Sequence, residues 1–448
     1  MEVKKVKQEG RFARIRKKIP PLVYLFLSFA LLILVGTCLF LLPFSTKEGK
    51  SISFIDALFV ATSAVCVTGL TPIVVADTFT IFGNIVLALL IQLGGLGLVT
   101  VFSFFVLTFS GKLSYSKKFL IKESLSQDNF KHLGRLLKFI IIFTVCTEAV
   151  GAFASFWAFW PEYDVATAVG YSVFHAVSSF NNAGFDIIGG NSLMNYNDDV
   201  LLNMVTCLLI IIGGIGFLVI QDIIYARRWK KFSLQTKIVL VTNTFILIFS
   251  FFIIKAMEWN NISWLEAFFY SVNLRTCGFA SFDVSKLHNS TLFLSTALML
   301  FGASPLSTGG GIKTTTVFVI IKSIESFARG KKTIVAKREI SQSTKYKAFL
   351  LAIFAVFIIN FTAFTMTLFE GDNFTFMEVL YEATSAFGTV GVSMGITPFI
   401  GIGSKIMLCL LMFFGRLGPV SIINLWNPHL NRVVNEEVDY LPTHFMIG

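Results

Sequence analysis

The chain has 448 residues, 55% of them apolar and only 14% charged, with a mean hydropathy of +0.75. That composition cannot cover a water-facing surface, so the bilayer is the solvent, and a soluble enzyme or a nucleic-acid binder is excluded. The net charge of +11 is concentrated: 28 of 37 Lys and Arg lie in residues 1–20, 111–138, 222–237 and 322–347, one pair of apolar runs apart, which places all four segments in the cytoplasm.

In chain order, a basic cytoplasmic N-terminus (1–20) precedes the uncharged run Pro21 to Phe44. This run is long enough to cross a hydrocarbon core of about 30 Å as a helix and lacks the cleavage site of a leader peptide. One unit then recurs four times: an apolar span (M1), a short helix, a glycine-bearing segment and a second span (M2). Repeat 1 covers 21–110, repeat 2 136–221, repeat 3 238–321 and repeat 4 347–425, with a C-terminal tail at 426–448. Predicted M1 spans lie near 21–44, 136–160, 238–257 and 347–369, and M2 spans near 80–109, 200–221, 291–321 and 403–425. The predicted fold is an all-α integral membrane protein, eight spans in four pseudo-symmetric M1–pore loop–M2 repeats around a central pore.

The repeats align on a single glycine. The segments are Ser63-Ala-Val-Cys-Val-Thr-Gly69-Leu70, Ser178-Ser-Phe-Asn-Asn-Ala-Gly184-Phe185, Asn273-Leu-Arg-Thr-Cys-Gly278-Phe279 and Ser385-Ala-Phe-Gly-Thr-Val-Gly391-Val392. Upstream of three of them an acid (Asp56, Glu266 or Glu378) stands three residues after Ser53, Ser263 or Thr375, the signature of a capped helix start. The second copy lacks that acid but keeps the length. A helix of about twelve residues is too short to cross a membrane, so each one ending in a glycine segment between two spans reads as a re-entrant pore loop.

A dehydrated cation at bilayer depth must regain its hydration energy from protein oxygens, and backbone carbonyls aimed inward from four sides supply them for potassium. Turning carbonyls toward one axis requires torsions, positive φ among them, that glycine adopts without strain. The predicted filter is Val67, Thr68 and Gly69 with Asn182, Ala183 and Gly184, Thr276, Cys277 and Gly278, and Thr389, Val390 and Gly391. One glycine per loop implies a shorter, less stringent filter than the two-glycine Thr-Val-Gly-Tyr-Gly of tetrameric potassium channels.

Each M2 carries a second glycine element, Leu93-Gly-Gly-Leu-Gly-Leu98, Ile212-Gly-Gly-Ile-Gly-Phe217, Phe301-Gly-Ala-Ser-Pro305 and Phe414-Gly-Arg-Leu-Gly418. In the third M2 it runs on through a stretch rich in Pro, Gly, Ser and Thr to Thr316, where no continuous helix survives. Irregular backbone at this depth lines water or is buried in protein, so 302–316 is the predicted gate, with Gly302, Ser307, Thr308, Gly309, Gly310, Gly311 and Lys313 as its residues. Two roles fit the intramembrane Arg416: lining the permeation path, or pairing with carboxylate or carbonyl groups to lock helices. Arg275, inside the third loop, reads as an anchor, since a cation facing the path would repel the ion.

Gly309-Gly-Gly-Ile-Lys-Thr314 lacks the glycine directly before lysine that a phosphate loop needs, and Gly95-Leu-Gly97 lies in unbroken span, so nucleotide binding by this chain is not indicated. Six cysteines without a C-x-x-C pair and five scattered histidines give neither a disulfide framework nor a metal site. An alternating-access transporter would more often place its half-helices in inverted repeats, and a membrane enzyme would need convergent catalytic groups.

The fourfold unit, the single-glycine loops, the broken third M2 and Arg416 together resemble the Trk/Ktr/HKT superfamily of potassium transporters, over nearly the whole chain. The short basic N-terminus and the ending Tyr440-Leu-Pro-Thr-His-Phe-Met-Ile-Gly448 are similar to its KtrB type of membrane subunit. The resemblance implies a multi-pass protein of the bacterial plasma membrane with a cytoplasmic N-terminus, a homodimer with one pore per subunit, and regulation by a cytosolic ring of nucleotide-binding subunits. It implies potassium as the transported ion, with Gly69 at a position where glycine goes with potassium preference, an intramembrane gate at 302–316 and a pore arginine at Arg416. No cofactor is implied in this chain; nucleotide enters only through a partner. Cys277 departs mildly from the pattern, at a position often held by Ala.

Overall fold

The computed structural model describes residues 21–97, 133–190 and 192–418, together with 100, 101 and 103. The expectations for 1–20, most of 98–132 and 419–448 lie outside the described residues. The helices are α1 (Pro21–Phe40), α2 (Phe54–Cys66), α3 (Ile81–Leu96), α4 (Leu133–Phe159), α5 (Val165–Phe180), α6 (Val200–Ile215), α7 (Phe217–Ala226), α8 (Leu234–Met257), α9 (Trp264–Asn273), α10 (Asn289–Met299), α11 (Thr314–Ala328), α12 (Gln342–Glu370), α13 (Phe376–Gly388) and α14 (Ile402–Leu417), with some shorter turns between them. A small hairpin of β1 (Ile334–Val335) and β2 (Arg338–Glu339) joins α11 to α12. Among the described residues, four helices (α1, α4, α8 and α12) are long and apolar enough to cross a membrane, five spans if α6 and α7 count as one. The fold is that of an all-α integral membrane protein.

A long helix, a short helix, an extended segment and a second helix follow one another four times. The short helices α2, α5, α9 and α13 start where a side-chain oxygen accepts an otherwise orphaned backbone N–H. Ser53 accepts from Asp56, Ser263 from Glu266 and Thr375 from Glu378, and in the last two the glutamate reaches back to the cap's own N–H at 2.7 Å. In α5 the cap is Asp164, which accepts from the Thr167 N–H at 3.2 Å. Those hydrogen bonds from Thr167 hold the Asp164 carboxyl below its usual range.

Packing is cyclic. α3 packs on α5, α6 on α9, α10 on α13, and α14 returns to α2, so each second helix supports the short helix of the next repeat and the last supports the first. The closing seam carries an ion pair between Lys405 on α14 and Asp56 on α2, at 2.8 Å. Apolar clusters fill the space around each short helix, with Ala57, Val60, Ala61 and Ala64 of α2 in one and Val379, Ala383, Ala386 and Phe387 of α13 in another.

Within the M2 spans expected near 80–109, 200–221 and 403–425, a helix ends at a cap at Gly97, Gly216 and Gly418, with φ of +80°, +99° and +81°. A residue with a Cβ would be strained there, and at Gly216 the chain turns by 94° between α6 and α7. The third second helix, with 11 residues against 16 in the others, stops earlier, at Met299 before Gly302, and the chain becomes helical again only at Thr314.

Candidate functional site

The four loop glycines meet at the centre, each facing the next repeat. A Cβ on Gly69 would overlap the carbonyl oxygen of Ala183; on Gly184, the backbone of Gly278; on Gly391, the carbonyl oxygen of Thr68. On Gly278 it would come within 2.9 Å of the backbone of Gly391. The order 1–2–3–4–1 is thus closed at the backbone as well as among the helices. Eleven of the twelve residues singled out from the sequence are buried, Gly278 being partly exposed. The side chains of Val67, Ala183, Cys277 and Val390 belong to the apolar clusters behind the loops.

Three loops share a conformation. Val67, Asn182 and Thr389, two residues before the glycine, are left-handed with φ of +57°, +59° and +49°, and Gly69, Gly184 and Gly391 are left-handed too. For a β-branched residue that conformation costs on the order of 1–3 kcal/mol and persists only where surroundings enforce it. The surroundings include serines that the sequence reading passed over: Gly69 donates its N–H to Ser63 Oγ and Gly391 to Ser385 Oγ, both at 3.0 Å, while Ser178 Oγ donates to the Phe185 carbonyl. Their common position, six residues before the glycine, is the signal that would have found them. The third loop has Val272 there, and neither Thr276 nor Gly278 is left-handed.

The segment between α10 and α11 crosses beneath these loops from repeat 2 to repeat 4. On one side Ser304 and Thr308 donate their N–H groups to Gly214 and Gly213, Phe217 donates to the Leu306 carbonyl, and Thr308 Oγ1 donates to the Phe180 carbonyl. On the other, the Gly310 N–H reaches Thr389 Oγ1 at 3.0 Å and the Gly311 N–H reaches the Gly415 carbonyl. The Asn182 side chain bridges Thr276 and Thr308 at 2.6 and 3.1 Å. Gly309 lies against the Thr276 side chain and Gly302 against the backbone of Gly310 and Gly311. Ser307 Oγ donates to the Ser304 carbonyl and Lys313 Nζ to the Gly309 carbonyl, so both fasten the segment to itself.

Arg416 reaches the same segment from α14. Its guanidinium donates to the carbonyls of Thr308, Gly94 and Gly95, tying the crossing segment to the C-terminal end of α3, where the helix dipole favours a cation. Arg275 donates to the Gly302 carbonyl at 3.1 Å, so the third loop holds the start of the crossing segment. The first glycine of each M2 element permits close approach: a Cβ on Gly94, Gly213 or Gly415 would overlap the carbonyl of Val65, Phe180 or Phe387, each four residues before its loop glycine. Among the described residues there is no cluster of three His, Cys, Asp or Glu side chains able to hold a metal.

Comparison with known proteins places this arrangement among cation transporters. A family model described as TrkH, cation transport protein, matches residues 25–429. The Ktr system potassium uptake protein B of Bacillus subtilis (strain 168) is 36% identical over 415 residues, 90% of this chain and 92% of the relative. The potassium/sodium uptake protein NtpJ of Enterococcus hirae is 36% identical over 92% of this chain and 93% of its own length. The crystal structure of the potassium transporter TrkH from Vibrio parahaemolyticus matches with a TM-score of 0.73 over 96% of this chain and 88% of that one, at 16% identity, a likeness of fold.

Proposed function

The chain belongs to the TrkH family of cation transport proteins, multi-pass membrane transporters rather than enzymes, and from that premise we propose that it takes up potassium across the bacterial plasma membrane through a pore made of its own four loops. The observation that carries this reading is the closed cyclic approach of Gly69, Gly184, Gly278 and Gly391, each with no room for a Cβ before the next. Loops that turn Val67, Ala183, Cys277 and Val390 into the apolar shell have carbonyl oxygens to offer a dehydrated ion, and four such sets suit potassium. Eight spans result when α1, α4, α8 and α12 are joined by α3, the α6–α7 pair, the α10–α11 pair and α14.

The segment 302–316 is the gate in this reading, with Gly302, Ser307, Thr308, Gly309, Gly310, Gly311 and Lys313 forming the barrier and Arg416 latching it. Its hydrogen bonds to repeats 2 and 4 hold it across the path, and freeing either side would open it. The concentration of basic residues in 1–20, 111–138, 222–237 and 322–347 supports a cytoplasmic N-terminus. A homodimer and a cytosolic ring of nucleotide-binding regulatory subunits complete the proposal; relatives named as proteins of Ktr systems support a partner subunit in general. The nucleotide would act through that partner, with no cofactor in this chain.

The test is flux into liposomes holding the purified chain, comparing potassium and sodium at equal gradients, beside a variant lacking Ser307 to Ile312. The variant is expected to pass potassium faster than sodium and at least about tenfold faster than the intact chain, since several hydrogen bonds of about 1 kcal/mol each are removed from the barrier. Equal rates for the two ions, or a folded variant with lower flux than the intact chain, would overturn the reading.

A further inference from the structure

Nine residues before the loop glycine, the four short helices carry Val60, His175, Phe269 and Glu382. All four side chains are buried, at 0%, 2%, 1% and 0% exposure, so this register is the inner face behind the loops. Two are apolar and two polar, and the polar pair belongs to repeats 2 and 4, which face each other across the ring. His175 turns away from its loop, its Nε2 2.8 Å from Thr206 Oγ1 on α6. Glu382 turns toward its own loop. It accepts hydrogen bonds from Ser393 Oγ and from Thr397 Oγ1, the latter at 3.1 Å, and Ser393 follows Gly391 by two residues. Ser393 Oγ in turn accepts from the Gly395 N–H at 2.8 Å, so one carboxylate organises the whole turn that leads away from the glycine.

Packing does not require a carboxylate here, because Val60 and Phe269 fill the same register in repeats 1 and 3. A buried carboxyl group with no basic partner among the described residues is costly, and such a group persists where its position serves the site. Its hydroxyl partners stand on the side of the ring remote from the gate segment, where an ion would meet the fourth loop.

We propose that Glu382 is a specificity-determining positioning residue: its carboxylate fixes Ser393 and Thr397, and through them the backbone at Gly391, and places negative charge behind the mouth of the fourth loop so that potassium is bound there in preference to sodium. This rests on the four-loop pore reading and extends it to one group outside the loops. Glu382 need not touch Gly391 to act, since a shift of Ser393 reaches Gly391 through two peptide units.

The experiment is potassium uptake into liposomes by the full chain, measured for half-saturating concentration, maximal rate and the potassium-to-sodium ratio in wild type, Glu382→Gln, Glu382→Asp and the double variant S393A/T397V. Glu382→Gln keeps the shape and removes the charge. It is expected to raise the half-saturating potassium concentration about tenfold, the size of a charge-assisted hydrogen bond replaced by a neutral one, and to lower the selectivity ratio while the maximal rate changes far less. Glu382→Asp should recover part of both. A Glu382→Gln protein that loses maximal rate alone, with half-saturation and ratio intact, would mean that Glu382 only packs, and the proposal fails. Should Glu382→Gln not fold, S393A/T397V, which keeps the carboxylate and removes what it holds, must show the same two shifts or the proposal fails. If the wild-type chain and its gate-deleted form pass potassium and sodium equally, the pore reading itself is what has failed.

Discussion

Repeat 3 and the other three repeats solve the same packing problem differently. In repeats 1, 2 and 4 a left-handed residue precedes a left-handed glycine, a serine holds the loop, and the second helix presses its first glycine against the end of its own short helix. In repeat 3 the serine is Val272, the loop is not left-handed, and Gly302 faces Gly310 and Gly311 of the crossing segment instead. The repeat that gives up the shared conformation is the one whose second helix is interrupted to reach across the ring. A fourfold ring tolerates one irregular member when the other three hold the backbone, and the irregular member is held instead by hydrogen bonds to repeats 2 and 4.

The sharpest way to break that comparison is a pair of loop substitutions. Gly391→Ala forces a Cβ into a left-handed residue and onto the Thr68 carbonyl, a cost of ~3 kcal/mol, so potassium flux should fall roughly a hundredfold. Gly278→Ser meets backbone at 2.9 Å without a left-handed torsion, so flux should persist while sodium begins to compete. Equal losses in the two variants would erase the distinction between the loops. Arg416→Ala removes the donor shared by Thr308, Gly94 and Gly95 and should raise flux by roughly tenfold, with Arg416→Lys in between because an ammonium cannot span the same carbonyls; a wild-type flux record would leave the arginine as a helix lock alone.

A smaller effect separates neighbouring glycines. Gly213→Ala collides with the Phe180 carbonyl and should destabilise the protein by ~2 kcal/mol, read as a lower unfolding midpoint in detergent. Gly214→Ala, whose nearest neighbour is 3.4 Å away, should cost far less. Smallest of all, Ser63→Ala should cost about 1 kcal/mol and loosen selectivity slightly, whereas Val272→Ser should not tighten a loop that lacks the left-handed turn to use it.

The four loops and three of the four helix starts were legible because their signals are local: a glycine followed by a large apolar residue, and Ser263 or Thr375 three residues before a glutamate. The start of α5 escaped because Asp164 is its own cap, and a search for hydroxyl plus acid passes over an aspartate that caps alone. The breaks at Gly97, Gly216 and Gly418 escaped because each glycine in an apolar run costs a helix only about 1 kcal/mol, so two or three of them were compatible with a continuous span. Their recurrence three residues after the first glycine in three repeats was the available signal. The partners of the Thr308 hydroxyl, Asn182 and Phe180, lie 126 and 128 residues away, and no local pattern specifies them.

The ion pair of Asp56 with Lys405 joins residues 349 apart in the chain, at the one seam of the ring whose two sides are not successive repeats. The other three seams can form as each repeat emerges from synthesis, but this one waits until α14 has been made and has travelled back to α2. The ring therefore closes only once the last helix is made, and in the pore reading proposed above conduction would await that closure. A truncation that removes α14 would leave three repeats correctly inserted and no pore, whereas the same ring made from separate subunits has four equivalent seams and no last one.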